Sequence, residues 1–327
     1  MNNYEILTTT RGSLFYIKNN HEKKNSILFL DWPFASGFIE VPNVSEDVLL
    51  KGFNWSLNLG FIEEDASIHS VLYAIGCLDK KSIKNSIIFP KYFPKFVNLK
   101  KDRFIELLDN KSIFNIYCHT YSFPSSVDYI KSVYPIVNSI ELLHSLFDAG
   151  VNIVQLRVKE NQLANLAVFI EKACKISFSY PDSKLFINDH WHLAIENNAF
   201  GVHLGQEDIN QANMQKIQSS GIHLGLSSHS YWEVSNAIKY SPSYLACGPI
   251  FPTRVKIMPW KPQGIKNLTY WSRILAFPIV AIGGINISNI RDVKASNCSG
   301  VAVIDAVVNK RDPIASFRTL DKIWKEI

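Results

Sequence analysis

From residue 126 onward, short apolar runs alternate with segments of helical period. Eight runs predict strands: Tyr134–Val137, Ile153–Lys159, Leu185–Asp189, Gly201–Gly205, His223–Ser227, Tyr244–Pro249, Pro278–Ile285 and Gly300–Ala306. Helical patterns lie between most of them. Ile140–Asp148 stops at Gly150, Leu163–Phe178 is a long amphipathic segment, and Ile314–Ile327 closes the chain. Strands alternating with helices imply a parallel sheet. Eight such units imply a closed (β/α)8 TIM barrel, whereas the alternative, a doubly wound open sheet, needs no particular number of strands.

Residues 1–125 read differently. They are rich in Asn, Lys, Phe and Ile, with strand-like runs at Ser13–Lys18 and Ser26–Leu30 and an amphipathic helix over Glu64–Ala74. Phe89-Pro90 and Phe93-Pro94 break any long helix there. Lys111–Ser126, ending in Ser122, Pro124, Ser125 and Ser126, reads as the connector. The expected organisation is therefore a smaller α/β segment over 1–125 and a barrel over 126–327.

Composition narrows the class. The chain has 327 residues, 47% hydrophobic and 19% charged, so it can bury a sizeable core. The formal net charge is +5, with Lys and Arg scattered rather than clustered, which argues against nucleic acid as a partner. The five cysteines form no CxxC pair and no Cys/His cluster, the pattern of reduced thiols in a cytoplasmic protein. Met-Asn-Asn-Tyr-Glu has no cationic start followed by an apolar run, so no signal peptide is expected. The longest apolar run, Ile274–Ile285, is short and broken by Pro278, Gly283 and Gly284, so no membrane span is expected either.

Candidate chemistry gathers at the strand ends, where barrels carry their active sites. In Ile153–Lys159, alternation puts Val154, Leu156 and Val158 on one face and Gln155, Arg157 and Lys159 on the other. Two cations on a strand face need water or an anion. Asn188-Asp189 ends the third strand, Gln206-Glu207-Asp208 follows the fourth, and Ser227-Ser228-His229 ends the fifth. The sixth runs into Gly248-Pro-Ile-Phe-Pro-Thr-Arg-Val-Lys256, the seventh into Gly283-Gly284, the eighth into Ile304-Asp305. Asp189 and Asp208 leave adjacent strands and can share one hard cation, and Mg²⁺ is typically held by one or two carboxylates plus phosphate oxygens. Each also has a plain reading as a helix cap. Arg157, Lys159 and Lys256 supply charge for phosphate. Gly283-Gly284 lets a ligand approach the backbone, and the last two barrel loops are a frequent phosphate site. Metal, cations and a second phosphate site point to two phosphorylated small-molecule substrates. His203 alternates with Val202 and Leu204 and reads as an inward orienting residue rather than a base.

With these residues assembled, residues 134–327 resemble thiamine-phosphate synthases. The resemblance is carried by Tyr134-Pro-Ile-Val-Asn-Ser139, Gln155-Leu-Arg-Val-Lys159, Phe186-Ile-Asn-Asp-His-Trp191, Gly201-Val-His-Leu-Gly-Gln-Glu-Asp208, Gly248-Pro-Ile-Phe-Pro-Thr253 with Lys256, Pro262-Gln-Gly264 and Ala281-Ile-Gly-Gly-Ile285. It implies a transferase that joins hydroxymethylpyrimidine pyrophosphate to hydroxyethylthiazole phosphate, releasing pyrophosphate. By the family pattern, Gln155, Arg157, Lys159, Asn188, Ser227 and Lys256 contact the pyrimidine pyrophosphate, and Arg157, Lys159, Ser227 and Lys256 carry the catalysis. Asp189 and Asp208 hold Mg²⁺. Thr253, Val255, Gly284, Ile304 and Asp305 form the thiazole phosphate side.

Two positions depart from that pattern, both on the thiazole side. Val255 stands where the family usually has Thr, and Asp305 where it usually has Ser. A carboxylate beside a phosphate is repulsive unless a cation intervenes, and Arg254 is a candidate. The segment Val255–Gln263, with Trp260, reads as a loop that closes over the substrates. Two other functions compete: an inactive ligand-binding or regulatory homologue, and a thiazole-phosphate isomerase of the same fold. The intact pyrophosphate and metal set disfavours both. Leu57–Ala66 is similar to a helix near the C-terminus of hydroxymethylpyrimidine phosphate kinases. The Gly-rich loop and Cys expected just before it are missing from Val41–Asn54, so residues 1–125 read as a kinase remnant without kinase activity.

Overall fold

The structure is a computed structural model that describes residues 2–9, 11–18, 26–78, 96–97, 121–159, 165–253 and 260–326. It divides into two compact units. The first comprises residues 1–120 together with 230–239, the second residues 121–229 and 240–327. The sequence boundary at 125 is thus not where compactness divides the chain. Tyr121–Ser126 groups with the second unit, where Phe123 N–H donates to Ser241 O (3.3 Å) and Ser126 N–H to Ser243 O (3.4 Å). The helix Tyr231–Ile238, which follows the fifth barrel strand in sequence, groups with the first.

The first unit is built on an antiparallel meander, β1 (Asn2–Thr8), β2 (Ser13–Lys18), β3 (Ser26–Trp32), β4 (Ala35–Val41) and β5 (Phe96–Val97), paired in that order. Ile27–Leu30 is buried residue by residue, as a central strand with both faces covered requires. Two helices follow, α1 (Glu46–Asn58) and α2 (Glu63–Leu78). The hydrophobic pattern alone did not predict β1, β4 or α1. α1 carries Gly52 in its interior, which weakens helix propensity. Tertiary packing explains it: a Cβ at Gly52 would lie 2.7 Å from Tyr73 Cβ of α2, so the glycine allows the two helices to approach closely.

α2 buries a run of polar side chains, each with at least one hydrogen bond, although the second carboxylate oxygen of Glu64, Oε2, is buried without one. Glu64 takes a hydrogen bond from Arg11 Nη2 (3.3 Å), and Arg11 also pairs with Glu63. Ser67 Oγ accepts from Trp32 Nε1 (2.9 Å) and donates to Glu63 O (2.8 Å). Ser56 Oγ and His69 Nδ1 are 2.7 Å apart. Asp65 Oδ1 accepts from Tyr231 N–H (2.8 Å) at the start of the helix Tyr231–Ile238. Buried polar groups without such partners would each cost about 1–3 kcal/mol.

The second unit is a closed barrel of eight parallel strands. They are β6 (Val133–Val137), β7 (Ile153–Leu156), β8 (Lys184–Asn188), β9 (Gly201–Leu204), β10 (His223–Ser228), β11 (Tyr244–Cys247), β12 (Ile279–Ile282) and β13 (Gly300–Val303), and β13 pairs with β6 to close it. All eight expected strands are present, most of them shorter at the C-terminal end. The expected helix Ile140–Asp148 matches, Leu163–Phe178 is observed from Leu166, and the last helix is Pro313–Lys325.

The barrel interior is filled, not hollow. Tyr134, Ile136, Ile153, Phe186, Tyr244, Ala246, Val280 and Ala302 form one buried cluster. Large and small residues interlock within it. A Cβ at Gly201 would lie 2.4 Å from the Phe186 ring, and one at Gly225 would lie 2.3 Å from the Tyr244 ring. The two glycines therefore provide the volume that the rings occupy. Among the described residues, no helix is long and apolar enough to cross a membrane.

Candidate active site

The end of β7 corrects one sequence expectation. The strand stops at Leu156, so Gln155 and the two cations do not share a strand face. Gln155 points into the barrel, 2% exposed, and its Nε2 donates to Tyr134 Oη (3.3 Å). Arg157 and Lys159 lie beyond the strand and are exposed, with Arg157 N–H donating to Val137 O (2.7 Å). His190, buried, meets Val158 O through Nε2 (3.0 Å) and steadies this segment.

Asn188 closes β8, buried, and the next residue, Asp189, has a left-handed backbone (φ 63°). Asp tolerates that region better than most residues, but it remains an uncommon conformation that clusters at functional sites. The helix Trp191–Glu196 is capped by no side chain, so Asp189 has no capping role there. Asp208 does have one: its Oδ2 accepts from Gly205 N–H (3.2 Å) across the short helix Gln206–Ile209. Burial and the facing Asp208 carboxyl push the Asp189 carboxyl up to about 6, while Arg157 pulls it down. The structure thus brings together a carboxyl pair and a guanidinium. Two carboxyls held this close disfavour joint ionisation, and a hard cation between them relieves that. Two acidic oxygen donors are the kind of ligand that Mg²⁺ takes, with substrate oxygens and water completing its shell. Among the described residues, no group of three or more His, Cys, Asp or Glu forms a self-sufficient metal cage.

Ser227, on β10, belongs to a chain of hydrogen bonds that crosses the barrel. Its Oγ lies 2.7 Å from His203 Nε2, and its carbonyl accepts from Gln206 Nε2 (2.6 Å). His203 Nδ1 lies 2.7 Å from Tyr244 Oη, which is 3.2 Å from Tyr134 Oη, the partner of Gln155. Burial, with smaller effects of His229 and Arg157, lowers the His203 imidazole to about 3, so the ring stays neutral. Tyr134 and Tyr244 were missed as functional candidates. Their signal was present: each is a phenol at an inward position of a barrel strand, where a hydroxyl needs a partner.

On the other side of the mouth, the ends of β11, β12 and β13 line a cavity of about 470 Å³. Thr253, Gly284, Ile304 and Asp305 all line it, and Gln155, Arg157, Lys159, Asn188, Asp189 and Asp208 do not. Gly283 (φ 95°) and Gly284 (φ 68°) are left-handed, and a Cβ on Gly284 would meet Phe251 Cβ at 2.8 Å. Both constraints call for glycine. Asp305 Oδ1 accepts from Asn309 Nδ2 (2.8 Å). Asn309 and the cavity-lining Lys310 were also missed, because an exposed turn after the last strand has no periodicity to mark it. Gln263 Nε2 donates to His229 O (2.7 Å) and its N–H to Pro249 O (2.8 Å), anchoring the segment that ends at Gly264. Arg254, Val255 and Lys256 lie outside the described residues, and so does most of the expected closing loop. Trp260, at its described end, is buried. A shallower pocket of about 520 Å³ beside Tyr121 and Tyr240 contains none of the expected site residues.

Comparison with known proteins adds an independent line. The family described as Thiamine monophosphate synthase matches residues 133–307, more than half of the chain. The thiamine-phosphate synthase of Proteus mirabilis (strain HI4320) is 44% identical over 181 residues, which cover 55% of this chain and 84% of that protein. The one from Salmonella typhimurium (strain LT2) is 38% identical over 191 residues, covering 58% and 90%. The solved thiamine phosphate pyrophosphorylase from Pyrococcus furiosus superposes with a TM-score of 0.53 at 27% identity, over 61% of this chain and 98% of that one. Barrel, strand-end residues and matched segment coincide, and the chain belongs to the thiamine monophosphate synthase family.

Proposed function

We propose that the barrel joins hydroxymethylpyrimidine pyrophosphate to hydroxyethylthiazole phosphate, giving thiamine phosphate and pyrophosphate. The observation that carries the reading is the Asp189–Asp208 pair beside Arg157, on a left-handed backbone at the C-terminal end of β8. In the reaction, the bond between the pyrimidine methylene and pyrophosphate oxygen breaks, and the thiazole nitrogen takes that carbon. The leaving group departs with the electron pair, so stabilising its charge is the main task.

The assignments extend the geometry. Gln155, Arg157, Lys159, Asn188, Ser227 and Lys256 hold the pyrimidine pyrophosphate, with Arg157 and Lys159 exposed at the barrel mouth. Asp189 and Asp208 hold Mg²⁺, which, when bound, neutralises pyrophosphate charge. Ser227 Oγ keeps a fixed direction because the neutral His203 ring is itself held by Tyr244. Thr253, Val255, Gly284, Ile304 and Asp305 form the thiazole phosphate side, supported by the shared cavity of Thr253, Gly284, Ile304 and Asp305. The intact Gln155, Arg157, Lys159, Asp189 and Asp208 disfavour an isomerase or an inactive homologue.

The reading assigns the chemistry to residues 126–327. A cytoplasmic setting fits the buried Cys174, Cys247 and Cys298, which form no disulfide, and the small phosphorylated substrates. No kinase activity is expected of residues 1–125, and phosphorylation of hydroxymethylpyrimidine phosphate from ATP by the purified protein would overturn that. The synthase reading is tested by product formation from both precursors with and without Mg²⁺. Thiamine phosphate should form only with the metal, and Asp189→Ala should abolish turnover. Absence of product under any condition would refute it.

A further inference from the structure

Asp305 puts a carboxylate on the cavity expected to take a phosphate, and the same turn carries a cation, Lys310. Of the described residues lining the cavity, Asp305 is the only carboxylate and Lys310 the only Lys or Arg. The turn between them is tight: Val307 and Val308 N–H both donate to Ile304 O (2.9 and 2.8 Å), and Lys310 N–H donates to Val307 O (3.2 Å). Asn309 Nδ2 holds the Asp305 carboxylate against this turn (2.8 Å). No ion pair engages Lys310 among the described residues. The main-chain N–H groups of Gly283, Gly284, Asp305 and Ala306 donate to no described residue, which leaves donors available for an anion.

We propose that Lys310 is a specificity-determining residue of this cavity: its ammonium contacts the phosphate of the thiazole substrate and offsets Asp305. The proposal rests on the synthase reading of the same site. Among the described lining residues Lys310 is the cation that balances Asp305, and without it a phosphate monoester dianion would meet from them an uncompensated carboxylate. Lys310 is exposed, so its replacement leaves the core untouched.

The test uses the full chain. With Lys310→Ala, the KM for hydroxyethylthiazole phosphate should rise about two- to fivefold, the change typical of losing one exposed charge contact. The KM for the pyrimidine pyrophosphate should stay unchanged, and Lys310→Arg should restore most of the loss. Asp305→Asn should lower the thiazole KM several-fold. An unchanged thiazole KM in Lys310→Ala, or an equal rise in both KM values, would overturn the proposal. Equilibrium dialysis of inorganic phosphate gives a second readout that needs no turnover. Weaker phosphate binding by Lys310→Ala supports the assignment even if the synthase reading fails. Equal binding by the two proteins, or none by either, refutes it.

Discussion

Replacing Asp65 by Asn should expose an opposition between two buried groups on α2. Burial pushes the Asp65 carboxyl from 3.8 up to about 7, against the pull of the Tyr231 and Trp232 N–H groups. Burial pushes the His69 imidazole from 6.5 down to about 3. The folded unit therefore keeps the Asp65 proton between pH 3.8 and 7, where the unfolded chain has lost it. Its contribution is full below 3.8 and lost as pH rises through 7. His69 behaves inversely: its contribution is full above 6.5 and lost as pH falls through about 3. One pKa unit corresponds to about 1.4 kcal/mol, so the two groups are worth about 4 and about 5 kcal/mol. Between pH 3.8 and 6.5 their slopes cancel, and the wild-type unit should show little net pH dependence from this pair. Asp65→Asn keeps an oxygen for Tyr231 N–H and removes only the falling limb. Its stability should then rise by about 1.4 kcal/mol per pH unit between pH 4 and 6.5. Hydrogen exchange at the β3 amides, corrected for intrinsic rates, reads this unit separately from the barrel. Relative to wild type, the variant should gain about 4 kcal/mol between pH 4 and pH 7. A difference that stays constant over that range would refute the buried-carboxyl account, whatever its absolute size.

Other expectations concern the barrel. His203→Ala removes one hydrogen-bond partner from Ser227 Oγ and one from Tyr244 Oη. It should destabilise the barrel by about 2–4 kcal/mol in urea denaturation and lower kcat more than it raises either KM. A lowered midpoint with unchanged kcat would mean that Ser227 needs no fixed orientation. Gly225→Ala sets a methyl 2.3 Å from Tyr244 Cζ, so the ring or the strand must shift. It should cost about 2 kcal/mol or more and be visible as a lowered thermal midpoint. Gly150→Ala meets no atom within 4 Å but keeps φ at 83°, so it should cost only about 1 kcal/mol.

The barrel was legible because alternation and helical period are local. Each strand announces itself by a short apolar run, and each helix by its stripe and its stop. The ends were less legible. Ile153–Lys159 reads as one seven-residue strand, yet pairing with β6 and β8 continues only to Leu156. The chain then leaves the sheet, which puts Arg157 and Lys159 at the mouth rather than along a wall. In the first unit, Gly52 masked α1, because the contact with Tyr73 that the glycine permits lies in another helix.

The sequence by itself determined the number and order of the barrel units, the polar residue types at each strand end, and the family those motifs resemble. Only the tertiary structure decided which of those residues meet. Asp189 faces Asp208 because neighbouring strands β8 and β9 end side by side. Gln155 and Ser227 are joined through Tyr134, Tyr244 and His203 because a closed barrel turns inward residues of distant strands toward one axis. Asp305 and Lys310 share a cavity with Gly284 because β12 and β13 are neighbours. Periodicity is a property of neighbours along the chain. Charge pairing and hydrogen bonding depend on distance through space, which the closure of the barrel sets.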